Sequence, residues 1–288
     1  MWSTAGVARA LVVVAAATVG SAGGLPGSSL GCSSAESGPA KVVDVSSELA
    51  GGARVDAVRA DGGGAGRSRR GTPSQIEALL RRAAAALAAQ SRVRLQGSLT
   101  EIEGKVGVYV AVDVRAGAAY GTLSETIATG GKRLRLGALL TPGRGYCTGD
   151  PDALTAACSL SARQAWAAVG RWVYFGPGSE AYQTVAASVL YRNEMGGLLP
   201  SLPASRFVLT KLRSLAGQRV EELRGPAPAA AHFPVGTTET IDLSRAGLPV
   251  RVRFEDPGRV AAVEWFDAWG ERFAVHAPVR PVAVSKLA

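Results

Sequence analysis

The chain has 288 residues, a net charge of +9, 47% hydrophobic residues and 19% charged residues. A disordered polymer lacks that apolar content, so a folded core is expected, in one or two domains. Three cysteines and two histidines leave no material for a Cys/His zinc cluster.

Residues 1–31 read as an export signal. Arg9 is its basic residue, and Ala10 to Val19 form an apolar run that Gly20 and Ser21 end. A spanning helix needs about 20 apolar residues, so a permanent transmembrane anchor is the weaker reading. Two cleavage sites compete. Gly20-Ser21-Ala22 suits ordinary signal peptidase and a soluble secreted product. Ser29-Leu30-Gly31-Cys32 resembles a bacterial lipobox, in which the cysteine takes a diacylglycerol thioether. An odd cysteine is a liability in an oxidising compartment. Lipidation of Cys32 removes it and leaves Cys147 and Cys158 as a pair, whereas a cytosolic protein would keep three reduced thiols. The lipidated, membrane-anchored form is the preferred expectation, outside the cell membrane on its outer face.

Residues 32–72 are rich in Gly, Ser and Ala without an apolar period, as in Asp61-Gly62-Gly63-Gly64. They read as a flexible tether reaching roughly 35 Å. Arg67, Arg69 and Arg70 are placed to meet anionic headgroups, or else form a solvated run. Most of the net charge, +7, falls in residues 73–288. For an exported basic domain, anionic lipid or wall polymer is the expected partner rather than nucleic acid.

Order is expected to begin at Thr72-Pro73-Ser74-Gln75, a capping box with Pro at the first helical position. Ile76, Leu79, Leu80, Ala83 and Leu87 follow at helical spacing to about Gln90. The stripe of this helix is only alanine between Leu80 and Leu87. Alternating strands come next, with Val93 and Leu95, then Val106, Val108, Val110, Val112 and Val114, then Leu134 and Leu136 in the dry phase. Arg94, Arg133 and Arg135 fall in the wet phase. A helix is expected from Asp150-Pro151-Asp152 to about Val169, a short strand at 170–175, and a second helical stretch over 179–199. Met195, Leu198 and Leu199 at its end read either as a flap or as core. Val250, Val252 and Phe254, then Phe273 and Val275, resume the alternation. Helix, about four strands, helices and about four strands make an α+β fold. Its antiparallel sheet has one dry face, laid over helices.

Chemistry is sparse. There is no Walker loop and no Gly-x-Ser-x-Gly elbow, and the Gly-rich 62–66 opens no strand-turn-helix unit. Neither His232 nor His276 has a companion histidine nearby. The sequence therefore points away from an enzyme, with no catalytic residue, metal ligand or cofactor assigned.

Four stretches carry a resemblance. They are Ala83 to Ala89 with Ser91-Arg92-Val93-Arg94-Leu95-Gln96-Gly97; Tyr146-Cys147-Thr148-Gly149-Asp150 with the later Gly170-Arg171-Trp172-Val173; Gly247-Leu248-Pro249-Val250-Arg251-Val252; and Phe266-Asp267-Ala268-Trp269-Gly270 ending at Ala277-Pro278. In this order, residues 73–284 resemble the actinobacterial LolA-like lipoproteins, the group of the LppX/LprAFG lipid-binding proteins. Cys147 and Cys158 depart from that pattern.

The resemblance implies a curved antiparallel half-barrel around helices, with an apolar cavity that carries lipid or lipoglycan acyl chains in the cell envelope. An envelope transporter is an implied but unidentified partner. Val108, Val110, Val112, Leu134, Leu136, Trp172 and Phe254 are the expected wall residues. Trp265 and Trp269 belong either to the cavity or to hairpin packing. The alternative is a non-carrier of the same fold, a surface sensor or interaction module with a closed core.

Overall fold

The computed structural model describes residues 71–103, 106–196, 198–199, 203–215, 217–227, 236–256 and 260–287. The export signal, Cys32, nearly all of the tether and His232 lie outside them.

Helix α1 spans Pro73–Ala88 and starts as the sequence demands. The Thr72 hydroxyl accepts from the Gln75 amide, and the Gln75 side chain accepts from the Thr72 amide. This reciprocal cap satisfies two amides that the first turn leaves open. Ile76, Leu79, Ala83 and Leu87 are the buried stripe.

Five strands follow: β1 (Val93–Glu103), β2 (Val106–Ala116), β3 (Gly121–Thr129), β4 (Lys132–Thr141) and β5 (Arg144–Gly149). They form a meander in which each strand pairs antiparallel with the next. Helices α2 (Pro151–Cys158) and α3 (Ala162–Ala167) come next, then β6 (Val173–Phe175), α4 (Glu180–Val189) and α5 (Tyr191–Met195). The chain returns through β7 (Val208–Leu215), β8 (Gln218–Pro226), β9 (Thr238–Ser244), β10 (Pro249–Asp256) and β11 (Val260–Asp267). It ends near β12 (Val282–Ala283).

All twelve strands join one open sheet in the order β12-β6-β5-β4-β3-β2-β1-β11-β10-β9-β8-β7. β1 and β11 pair antiparallel at its centre, so the two meanders are fused along one seam. β12 alone runs parallel to its neighbour, β6. The helices cover one face. α4 packs on β2 to β5, and α2 packs on β4 and β5. α1 reaches the other side of the same face, where Arg82 forms an ion pair with Glu221 of β8. The expected α+β class, with an antiparallel sheet laid over helices, is the observed one.

The helical middle is more broken than the sequence pattern predicts. The helix expected to run to Val169 stops at Cys158, because Ser159 takes a left-handed φ of 50°. A new helix begins at Ser161, capped reciprocally by Gln164. Cys158 is joined to Cys147 of β5 by a disulfide, which pins the end of α2 to the sheet. Asp150 sits at the α2 N-cap without bonding its own helix. Its carboxylate instead accepts from the Arg135 amide at 2.6 Å.

The helical stretch expected over 179–199 is also divided, at Leu190, which is extended. There Gly117 forms an isolated bridge with Leu190, and its carbonyl accepts from the Tyr191 amide. Met195 and Leu198 are buried in the core, which settles their place among the packing residues.

The alanine stretch of α1 meets a neighbour at its start. The β9–β10 turn comes against the helix backbone there. A Cβ on Gly247, whose φ is 87°, would stand 3.1 Å from the Arg82 carbonyl oxygen. The strand expected around Phe273 and Val275 does not form. Residues 271–278 are an irregular segment, and Phe273 packs its ring edge-on against Tyr120.

Candidate functional site

The register places most of the expected wall residues side by side. One row across the helix-covered face runs Phe254–Ala262–Leu99–Val110–Ile127–Leu134. The adjacent row runs Val252–Glu264–Gly97–Val112–Glu125–Leu136. Val108 lies two residues along β2 from Val110, on the same face. Val108, Val110, Val112, Leu134, Leu136 and Phe254 are all buried in one apolar cluster with α1, α2 and α4. The alternation read from the sequence puts these side chains on one face because successive Cβ atoms of a strand point to opposite faces.

Trp172 is not among them. Its ring edge lies 3.5 Å from where a Cβ of Gly137 would be, beside Thr148. Gly137 belongs to the phase of β4 opposite Leu134, Leu136 and Ala138, so Trp172 covers the other face of the sheet. The expected strand at 170–175 contains Trp172, but β6 begins only at Val173, and three residues of strand do not fix the phase of the residue in front of them. Trp265 is also on the outer face, where the Arg251 guanidinium stacks over its ring at 5.1 Å. Arg251 in turn donates to the fully buried Asp242 carboxylate at 2.8 Å. Trp269 stacks on Phe266 and donates to the Pro249 carbonyl at 3.1 Å, so it serves hairpin packing.

The outer face carries the arginines, as the alternation predicts. Arg94 grips Asp113 with two hydrogen bonds, of 3.1 and 2.6 Å. Near one end of β1, β2 and β11 an open cleft of about 430 Å³ is lined by Val93, Arg94, Arg115, Asp267, Ala268, Glu271, Arg272 and Phe273. Its mixed charge suits neither an acyl chain nor an anion.

What sequence reasoning missed lies on the inner face. Glu125, Glu239 and Glu264 sit in the dry phase of their strands and are buried, at 2–3% exposure. Glu239 is directly opposite Phe254 and so extends the first row. Glu194 of α5 is buried as well. Burial pushes the carboxyls of Glu125, Glu239 and Glu264 up to about 8, with Glu239 adding to the shift of Glu264. Glu194 is raised well above the usual carboxylate range by burial and then by Glu264. The signal was present at Glu125 and Glu264, which share the phase of flanking apolar residues, as in Leu123-x-Glu125-x-Ile127 and Ala262-x-Glu264-x-Phe266.

No group of His, Cys, Asp and Glu able to hold a metal ion occurs among the described residues. Nor is any described helix long and apolar enough to cross a membrane.

No family model and no curated protein matches the sequence. Solved structures do share features with it. The chain is similar to LprF from Mycobacterium bovis at 13% identity, over 71% of this chain and 97% of that one, with a TM-score of 0.46. The lipoprotein LppX of Mycobacterium tuberculosis matches at 13% identity over 71% of this chain and all (100%) of that one, with a TM-score of 0.39. A LolA-superfamily protein from Nitrosomonas europaea matches at 11% identity over 69% and 94%, with a TM-score of 0.26.

Proposed function

We propose that the chain is an exported envelope protein, anchored through an acylated Cys32, that holds lipid or lipoglycan acyl chains between the inner face of the sheet and the helices. It presents or carries them, with residues 1–31 as the signal, 32–72 as the tether and 73–284 as the binding domain. The observation that carries this reading is the pair of adjacent rows from Phe254 to Leu134 and Val252 to Leu136, a largely apolar lining several strands wide. Each buried methylene of a bound chain contributes about 0.8 kcal/mol, so one long acyl chain is enough for tight binding once the helices part to admit it.

The test is native mass spectrometry of the protein exported as Cys32→Ala and purified without detergent, followed by organic extraction. A stoichiometric adduct that extracts as lipid supports the reading, and a bare mass refutes it. Val110→Trp, placed mid-row, is expected to abolish the adduct while the circular dichroism spectrum stays unchanged. Adduct retained by this variant would take Val110 out of the wall.

One observation favours a second reading, a closed-core sensor or interaction module. Val110 is 0% exposed and Leu136 4% exposed, in one apolar cluster with residues of the helices. A bare mass in the same experiment is what that reading predicts.

A further inference from the structure

Four glutamates are buried on the inner face, three on strands and one on α5. Glu264 and Glu125 share a row, separated by Gly97 and Val112. Glu239 stands at the end of the neighbouring row. Glu194 approaches from the helix side. It is 1% exposed, and neither of its carboxyl oxygens has a hydrogen-bond partner. One oxygen of Glu125 and one of Glu239 are unpartnered too. α5 is held in place by the Tyr191 hydroxyl, which donates to the Leu87 carbonyl at the end of α1 at 2.7 Å.

A buried carboxyl with no partner costs about 1–3 kcal/mol, and more when charged. A chain with 27 arginines has ample means of pairing such acids. Yet among the described residues none of the four has a cation as an ion-pair partner, and Arg94, Arg251 and Arg253 are in the outward phase of their strands. The inner face is therefore acidic inside a basic domain. Gly97 leaves the position beside Glu264 without a side chain, and a Cβ there would already stand 3.4 Å from the Glu264 Cγ.

Resting on the reading that the interior takes acyl chains, we infer that Glu194 and Glu264 receive the head of an amine-bearing amphiphile whose chain lies along the apolar rows. An ammonium offers three donors and one positive charge, so it draws the proton off one of these carboxyls and pairs with the anion left behind. A phosphate or carboxylate head brings a buried negative charge that no described cation there offsets. A hydroxyl head supplies hydrogen bonds but no charge.

Glu194 of α5 and Glu239 of β9 are the acids whose charges reach Glu264 of β11, Glu125 of β3 lies three strands away, and Tyr191 is already engaged. Burial keeps these acids protonated near neutral pH. Binding of the ammonium therefore expels a proton from one carboxyl to solvent, and the pair that remains is neutral overall.

The test uses the exported Cys32→Ala protein, stripped of lipid, and three probes of one chain length: dodecylamine, dodecanol and dodecanoic acid, each below its micelle concentration. Titration calorimetry at pH 7 in two buffers of different ionisation enthalpy reads affinity and proton release together. Dodecylamine is expected to bind about tenfold or more tighter than the other two, with release of about one proton. Glu194→Gln and Glu264→Gln are each expected to bring dodecylamine to about the affinity that the same variant shows for dodecanol, and to abolish the proton release. Equal binding of dodecylamine and dodecanol by the unsubstituted protein, or a preference that survives both substitutions, overturns the amine assignment alone. Binding of none of the three probes overturns the acyl-chain reading itself, and the amine site with it.

Discussion

Glu125, Glu239 and Glu264 each occupy a strand position that the alternation reserves for an apolar side chain. Their burial ties stability to pH, and the sign is determined by the raised carboxyls. Folded, these groups hold their protons to about pH 8. Unfolded, they release them near pH 4.5. Between those values the folded state binds more protons, so stability falls as pH rises, by about 1.4 kcal/mol per unit for each group titrating alone. The melting temperature is expected to be highest near pH 4.5 to 5, to decline to about pH 8 and to level off above it. Glu264→Gln should raise the melting temperature at pH 8 and flatten the slope. A melting temperature that rises between pH 5 and 8 in the unsubstituted protein would contradict this. At this scale the wall valines and leucines were legible, because period-two alternation assigns a face without knowledge of the neighbours. The acids were missed, because the segments that become β3, β9 and β11 are not among the expected strands and so gave them no phase. Trp172 was not legible, since its side depends on a tertiary contact with Gly137 and Thr148.

Among the elements, the strands kept their expected phase and the helices did not keep their expected length. β10 shows the limit of phase. A register irregularity between Pro249 and Arg251 buries Pro249 and leaves Val250 half-buried, although Val252 and Phe254 stay inward. The division of the 150–169 segment comes from the Cys147–Cys158 link and the turn at Ser159, both set by how α2 meets β5. Helical periodicity does not encode that. The bridge closes a separation of 11 residues, for which the chain-entropy model gives about 2–3 kcal/mol. Replacing both cysteines by serine is expected to lower the unfolding free energy in urea by about that amount. A loss under 1 kcal/mol would mean that the reduced chain already holds this loop. The Phe273 to Val275 alternation failed as a strand because no edge is free beside it. The segment carries the chain from β11 to the β6 edge, and Phe273 anchors it on Tyr120.

At the scale of the molecule, one short pairing protects a vulnerable edge. β12 pairs with β6 through Val282 and Ala283, and Leu287 is buried beyond it. An uncovered strand edge is a template for another chain. Removing residues 281–288 is therefore expected to give concentration-dependent association in size-exclusion chromatography, and a strictly monomeric product would refute this role. The class of fold was legible from the order of periodic segments. The sheet order was not, because the β1–β11 pairing joins segments far apart in sequence and leaves no local mark.

That seam has a consequence for the order of assembly. β1 begins at Val93, and its partner β11 does not end until Asp267. The central pair therefore cannot close until nearly the whole polypeptide has emerged. Non-local pairing of this kind makes folding slow relative to helical domains. The meander from β1 to β5 can pair as soon as it is made, but the edge of β1 that β11 covers stays open until the chain is nearly complete.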